Sequence, residues 1–432
     1  MDETVRHDSG GVTGLGAVGR RDTADDCDTA ENRGATANHG ATVNDHGATV
    51  NDREAAVDFD VIVDRRGTAS FKWDKYEGRD VIPLWVADMD FAAPSAIIAA
   101  LHQRVAHGVF GYTREPDGLT AAVQASLLVE YAWRVEPEWL VWLPGLVSGL
   151  NVLCRAIGER GDSVATFTPV YPPFLTAPVL AERNVAKVPL VWDEGGWRMD
   201  LDTLERSLTP RTRLLLLCSP HNPVGRVWSE AELRAVAQIA CEHGLVIGSD
   251  DIHAGLVLDE DKRHIPIATL DVDTAGRTIT LMAPSKTFNI PGLGCSFAVI
   301  SDPSLREAFR RAMEGIVPHV NVLGYVAAQA AYEAGEVWRR HLIAYLQGNR
   351  DLVERELSAM PGLSVAHVEA TYLAWVDARQ SGLADPTRAF EQAGVGLSDG
   401  AAFDGPGFVR LNFGCRRALL AEGLARMRSA LP

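Results

Sequence analysis

Four side chains stand just beyond short apolar runs and together suit one kind of chemistry. Lys286 follows Thr278–Met282 in the run Thr-Leu-Met-Ala-Pro-Ser-Lys-Thr-Phe-Asn (280–289). Asp250 follows Leu245–Ile247 in Gly248-Ser-Asp-Asp-Ile-His253, and Asn222 follows Leu214–Cys218 in Ser219-Pro-His-Asn-Pro-Val-Gly225. Tyr171 follows Val164–Phe167 in Thr168-Pro-Val-Tyr-Pro-Pro173. A lysine amine forms an imine with an aldehyde, and a carboxylate can keep a pyridine nitrogen protonated, so that the ring withdraws electrons. An amide donating to a ring oxygen and a phenol stacked on the ring complete a site for pyridoxal 5′-phosphate (PLP).

A fifth run, Leu140–Leu143, is followed by Pro144-Gly-Leu-Val-Ser-Gly149 and then a helix-like stretch, Leu150–Ile157. Small residues at a helix start leave amides free for a phosphate, which makes Val147 and Ser148 candidates. A plain tight turn explains these glycines equally well. Each other motif also has a simpler reading: Tyr171 as a packed loop aromatic, Asn222-Pro as a turn, and His253 as a structural histidine. Asp251 competes with Asp250 and reads as a helix-start cap. The PLP reading rests on finding one part of the same site after each of five strands.

Those motifs need a sheet to carry them. Apolar runs at Leu140–Leu143, Val164–Phe167, Leu214–Cys218, Leu245–Ile247, Thr278–Met282 and Ser296–Ile300 each end in a polar or Gly/Pro cluster. Helix-like stretches separate several of them. In Ser229–His243, Ser229 and Glu232 form a capping box, Leu233, Val236, Ala237 and Ala240 form one stripe, and Gly244 is a stop. Strands alternating with helices predict an α/β fold with a mostly parallel sheet covered on both faces. In such sheets ligands bind beyond the carboxyl ends of the strands.

Residues 1–57 are rich in Gly, Ala, Thr, Asn and Asp and repeat Gly-Ala-Thr three times (34–36, 40–42, 47–49), so they read as a disordered tail. The predicted division is then 58–90 as the N-terminal segment of a small domain, 91–326 as a large cofactor-binding domain, and 327–432 as the rest of the small α+β domain. That last part holds a long charged helix (Val337–Met360), a strand (Tyr372–Val376), Arg410-Leu-Asn-Phe413 and a closing helix (Leu419–Ala430).

The chain of 432 residues carries a net charge of −16, from 57 acidic and 41 basic residues, which disfavours nucleic acid and anionic membranes as partners. No apolar run approaches a membrane span, and the N-terminus lacks the pattern of a signal peptide. The cysteines (Cys27, Cys154, Cys218, Cys241, Cys295, Cys415) lie far apart with no C-x-x-C pair. A metal site or disulfide framework is therefore not expected, and a reducing cytoplasm is.

At these residues the sequence resembles the fold-type-I PLP enzymes of the aspartate aminotransferase superfamily, over residues 59–432. Longer matches point to the cystathionine β-lyase or C–S lyase branch known as MalY/PatB. They are Asp64–Thr68, Lys72-Trp-Asp-Lys-Tyr76, Leu84-Trp-Val-Ala-Asp-Met-Asp-Phe91, His107-Gly-Val-Phe-Gly-Tyr112, Ser249–His253 and Ala283–Asn289. The resemblance implies that Lys286 carries the cofactor and acts as the proton-transferring base. It implies that Asp250 pairs with the pyridine nitrogen, Asn222 and His253 serve the ring oxygen, and Tyr171 stacks on the ring as a catalytic neighbour. Val147, Ser148 and Ser285 would hold the phosphate, with Tyr112 reaching it from a second subunit of a homodimer. Arg410 would grip the α-carboxylate of an amino-acid substrate, with Ala87 beside it.

Two departures from the aminotransferase pattern, Ala283 in place of a hydroxyl residue and Gly294 in place of a phosphate-binding arginine, fit the lyase branch. The expected reaction is β-elimination from L-cystathionine or a related cysteine S-conjugate, giving a thiol (homocysteine), pyruvate and ammonia. Two alternatives stand beside it: a PLP-dependent aminotransferase, and a regulatory protein that binds a transcription activator.

Overall fold

The computed structural model describes residues 57–193 and 196–432. The predicted tail therefore lies, except for Val57, outside the described residues. Seven strands form one sheet: β1 (Leu140–Leu143), β2 (Ser163–Thr168), β3 (Asn184–Pro189), β4 (Thr212–Cys218), β5 (Val246–Asp250), β6 (Thr278–Met282) and β7 (Ser296–Val299). Their order is β1-β7-β6-β5-β4-β2-β3. Pairs β2–β3, β2–β4, β4–β5 and β5–β6 are parallel, while β7 runs antiparallel to both β6 and β1. Two reversals leave β1 pointing the same way as β6. The carboxyl ends of the five strands that precede the candidate residues thus share one edge of the sheet.

The leucine run of β4 shows why this sheet is covered on both faces. Leu214 and Leu216 join a core with Leu150 and Leu153 of the helix Leu146–Ala156. Leu215 and Leu217 join another with Leu233 and Val236 of the helix Glu230–Glu242. Side chains alternate across a strand, so a continuous apolar run needs apolar partners on either side. Each leucine so buried contributes about 1.5–3 kcal/mol. The predicted capping box is present: the Glu232 amide donates to Ser229 Oγ at 3.3 Å, and the Ser229 amide to Glu232 Oε2 at 2.9 Å. The edge strand β3 has no counterpart in the sequence reading, because Asn184, Lys187 and Pro189 interrupt its apolar pattern.

A second, antiparallel sheet has the order β8-β9-β11-β10, from β8 (Ser364–Val365), β9 (Leu373–Asp377), β10 (Ser398–Asp399) and β11 (Phe408–Asn412). It packs against the helix Glu336–Ser358, whose buried side chains include Leu342, Leu346 and Val353. Leu84, Met89 and Phe91 enter this same core. The segment 82–91 is laid along the sheet by its backbone: Ile82 donates to Gly394 O at 2.9 Å, and Asn412 donates to Leu84 O at 2.9 Å. No helix among the described residues is long and apolar enough to cross a membrane.

Candidate active site

Lys286 lies past the end of β6, and its Nζ donates to the carbonyl oxygen of Ala87 at 2.5 Å. The same oxygen accepts from the hydroxyl of Tyr372, at 2.9 Å, from the start of the small sheet. The carbonyl is fixed by its neighbours. Asn289 accepts from the Met89 amide at 2.9 Å and donates to the carbonyls of Met89 (2.9 Å) and Phe91 (2.7 Å). Asn412 donates to Val86 O at 2.5 Å and Asp88 O at 2.7 Å. Ala87 thus serves the site through its backbone, between the two sheets.

Arg410, on β11, is 4% exposed and forms no ion pair among the described residues. Its Nη1 donates to Asn222 Oδ1 at 3.1 Å, and its Nη2 to Trp85 O at 3.0 Å and Ser398 Oγ at 3.4 Å. Among the described residues its Nε has no hydrogen-bond partner. The guanidinium carbon lies 4.7 Å from the centre of the Phe403 ring. A buried cation with a spare donor and no counter-ion is arranged for an anion from outside the chain, and a carboxylate matches the guanidinium fork. With Oδ1 committed to Arg410, Asn222 keeps its amide NH2 as a donor. Tyr171, on the loop after β2, is tied to the Asn222 loop by its amide, which donates to Asn222 O at 3.1 Å.

The structure separates the two adjacent aspartates. Asp251 turns away from Lys286: its carboxylate accepts from Ser249 Oγ at 2.5 Å and contacts His264 Nε2 at 2.7 Å, all buried. It is not a helix cap, because residues 252–255 form turns rather than a helix. The carboxylate of Asp250, the last residue of β5, accepts among the described residues only the Ile252 amide, at 3.1 Å, and its charge acts on Lys286. Burial, with a smaller push from Asp251, raises its carboxyl from the ordinary value to about 7, against the pull of the Ile252 amide and Lys286. A carboxylate held so reluctantly favours a cationic partner such as a protonated ring nitrogen. His253 is buried with Nδ1 unpaired, and burial followed by the charges of Lys286 and Arg410 drives its pKa well below the usual value, so it stands neutral.

Burial, followed by repulsion from Arg410, lowers the Lys286 amine to about 8, with Asp88 and Asp250 opposing. In the roles expected from the sequence, Lys286 would take a proton as the neutral amine, and Asp250, ionised, would face a cationic ring nitrogen. Both working forms are the deprotonated ones. Turnover should therefore fall as pH drops through about 8. A pH profile from 6 to 9.5 checks this; a rate that rises as the solution is acidified would contradict it.

The helix after β1 begins at Leu146, four residues earlier than expected, with Gly145 as its N-cap. Val147 and Ser148 consequently sit in its first turn, ahead of the first intrahelical bond, from the Gly149 amide to Gly145 O at 3.2 Å. Their amides meet the requirement for an anion cradle. Gly294 lies against this turn at φ 57°, and a Cβ there would stand 2.8 Å from Pro144 O. An arginine at 294 would meet both a left-handed backbone and this carbonyl, which explains the glycine. Ser285 adjoins Lys286 and is partly buried. Tyr112 is fully exposed and takes no part in the site of its own chain.

Several residues of the site received no role from the sequence, although most of them lie in the runs that match the lyase branch. Lys72 is wholly buried, with Nζ 2.9 Å from Asp90 Oδ2 and 3.7 Å from Asp88 Oδ1. Arg65 bridges the same two carboxylates at 2.8 and 2.7 Å, and Trp73 Nε1 donates to Asp90 at 2.8 Å. Burial opposes the Asp90 charge, but Lys72, Trp73 and Arg65 outweigh it and hold the carboxyl below the usual range. Breaking such a pair from one side costs about 3–5 kcal/mol, so this cluster fixes the segment that ends in the Ala87 carbonyl. Tyr372, Asn289 and Asn412 were likewise missed.

Comparison with known proteins follows the same lines. A family model described as aminotransferase class I and II matches residues 79–427. The cystathionine β-lyase PatB of Bacillus subtilis (strain 168) is 38% identical over 387 residues, covering 87% of this chain and 100% of that protein. A crystal structure of OvoB is 47% identical with a TM-score of 0.85, covering 87% of this chain and 99% of that one. The PLP-bound C–S lyase from Staphylococcus hominis is 32% identical with a TM-score of 0.82, covering 87% and 98%.

Proposed function

This chain belongs to the aminotransferase class I and II family, and from that premise we propose that it is a PLP-dependent carbon–sulfur β-lyase. Its substrate is L-cystathionine or a related cysteine S-conjugate, and its products are a thiol, pyruvate and ammonia. PLP, when bound, supplies an electron sink conjugated to the substrate α-carbon. The observation that carries the reading is the pairing of a buried, counter-ion-free Arg410 with a lysine amine whose pKa is pushed down to about 8.

In this reading Arg410 grips the α-carboxylate through its fork and its spare Nε, orienting the α-C–H towards Lys286. Lys286 would hold the cofactor, and its free amine, placed by the Ala87 carbonyl, would take the α-proton. Asp250 would pair with the ring nitrogen, the Asn222 amide and the neutral His253 would serve the ring oxygen, and Tyr171 would stack on the ring. Val147, Ser148 and Ser285 receive the phosphate. Tyr112 completes that pocket from a second copy of the chain, which makes the working unit a homodimer. The division into 58–90, 91–326 and 327–432, and a cytoplasmic location, belong to the same proposal.

Elimination is favoured over amino transfer by the lyase relatives and by Gly294, which removes the phosphate-binding arginine of the aminotransferase pattern. Purified protein with PLP and L-cystathionine, and no keto acid, should form pyruvate and free thiol catalytically and in equal amounts. No turnover until a keto acid is added, followed by amino transfer, would overturn the lyase reading and install the aminotransferase.

A further inference from the structure

Lys286 and Tyr372 converge on a single acceptor. The lysine Nζ and the tyrosine hydroxyl reach the Ala87 oxygen at 2.5 and 2.9 Å, from opposite parts of the fold. Tyr372 is 1% exposed, and its ring stands edge-on to His253 at 6.1 Å between centres. Burial, followed by the charge of Asp88, raises its phenol far above the usual value, so the hydroxyl remains a proton donor throughout the working range. Nothing in the PLP-binding arrangement uses this hydroxyl.

We propose that Tyr372 is a positioning residue for the proton transfer: by holding the Ala87 carbonyl, its hydroxyl keeps the displaced Lys286 amine in the neutral, proton-accepting form. The proposal rests on the lyase reading. A carbonyl oxygen that already accepts one hydrogen bond is a weaker acceptor for a second. An ammonium gains more from a strong acceptor than a neutral amine does, so sharing the oxygen disfavours the ammonium. The other charged or titratable groups that act on Lys286 are Arg410, Asp88, Asp250 and His253, and none of these touches the Ala87 oxygen. In the transfer, the amine lone pair forms an N–H bond as the α-C–H bond breaks, and the C–H electron pair stays with the substrate. As the C–S bond breaks, its electron pair leaves with sulfur.

Asn289 and Asn412 hold the residues on either side of Ala87 independently. Removing the hydroxyl therefore leaves the carbonyl in place and gives it wholly to the lysine. In Tyr372→Phe the ammonium form of Lys286 should persist to higher pH. An amine pKa raised by about one would lower the neutral fraction below pH 8 about tenfold.

The test uses the PLP-loaded enzyme and L-alanine, which has no β-leaving group, and follows exchange of the α-proton with deuterated solvent by NMR. In Tyr372→Phe we expect exchange at pH 7 to fall about tenfold and its pH midpoint to rise. L-alanine affinity, the visible cofactor band at pH 7 and the melting temperature should stay at parent values. An unchanged exchange profile overturns the proposal. Loss of L-alanine affinity or of the cofactor band overturns it too, since either would mark a packing role. Failure of the lyase reading would show itself separately, as a parent enzyme that exchanges the α-proton of L-alanine but forms no pyruvate from L-cystathionine.

Discussion

Lys286→Ala is expected to reduce lyase turnover by about three orders of magnitude or more, because one substitution removes both the covalent anchor and the base. General acid–base transfer alone contributes roughly 10²–10⁴-fold. The variant should still fold. In the parent, burial holds the amine pKa at about 8, below its unfolded value of 10.5. The ammonium therefore costs stability below pH 8, and that cost fades as pH rises towards 10.5. Deleting the amine should leave the melting temperature of the PLP-free protein at pH 7 no lower than that of the parent. The PLP-loaded variant should lack the visible band of lysine-bound cofactor. Pyruvate formation within tenfold of the parent would exclude Lys286 as the base.

Arg410→Ala should raise KM far more than it lowers kcat. Losing one partner of a buried, hydrogen-bonded charge pair costs about 2–5 kcal/mol, or roughly 30- to several-thousand-fold in kcat/KM. The cause can be isolated with a substrate whose α-carboxylate is replaced by a carboxamide. The parent should discriminate strongly against the amide and the variant hardly at all, since both changes remove the same contact. Equal discrimination by the two enzymes would place the carboxylate elsewhere. The free variant should be no less stable, because in the parent a buried guanidinium stands without a counter-ion, its pKa lowered by burial to about 10.

What could be read from sequence, and what could not, divides by distance along the chain. Residues following β2, β4, β5 and β6 were legible because an apolar run and its Pro/Gly stop lie next to the functional residue. Asp250 was chosen over Asp251 by reading Asp251 as a helix-start cap; the true partner of Asp251, His264, is 13 residues further on and left no local mark. Arg410 stood out only through family resemblance; in isolation it reads as a surface arginine, and its burial arises from contacts with Trp85 and Asn222. Tyr372 and Asn412 reach the Ala87 segment across 285 and 324 residues, beyond any local pattern. The strand β7 was predicted, but not that it runs against its neighbours, because direction within a sheet leaves no mark on a short apolar run.

The threading of residues 82–91 between the two sheets also fixes when this site can exist during biosynthesis. The Ala87 carbonyl waits for a lysine 199 positions later, and the Trp85 carbonyl for an arginine 325 positions later. Contacts of such separation close late, after most of the chain is available. A growing polypeptide can therefore build β1–β7 while its substrate clamp is still untranslated. A message cut short before the codon for Phe408 would yield a product with Lys286 and Asp250 but without Arg410, the proposed clamp for the α-carboxylate. Only a product that extends past Arg410 would join the proposed proton acceptor to the group proposed to aim the substrate at it.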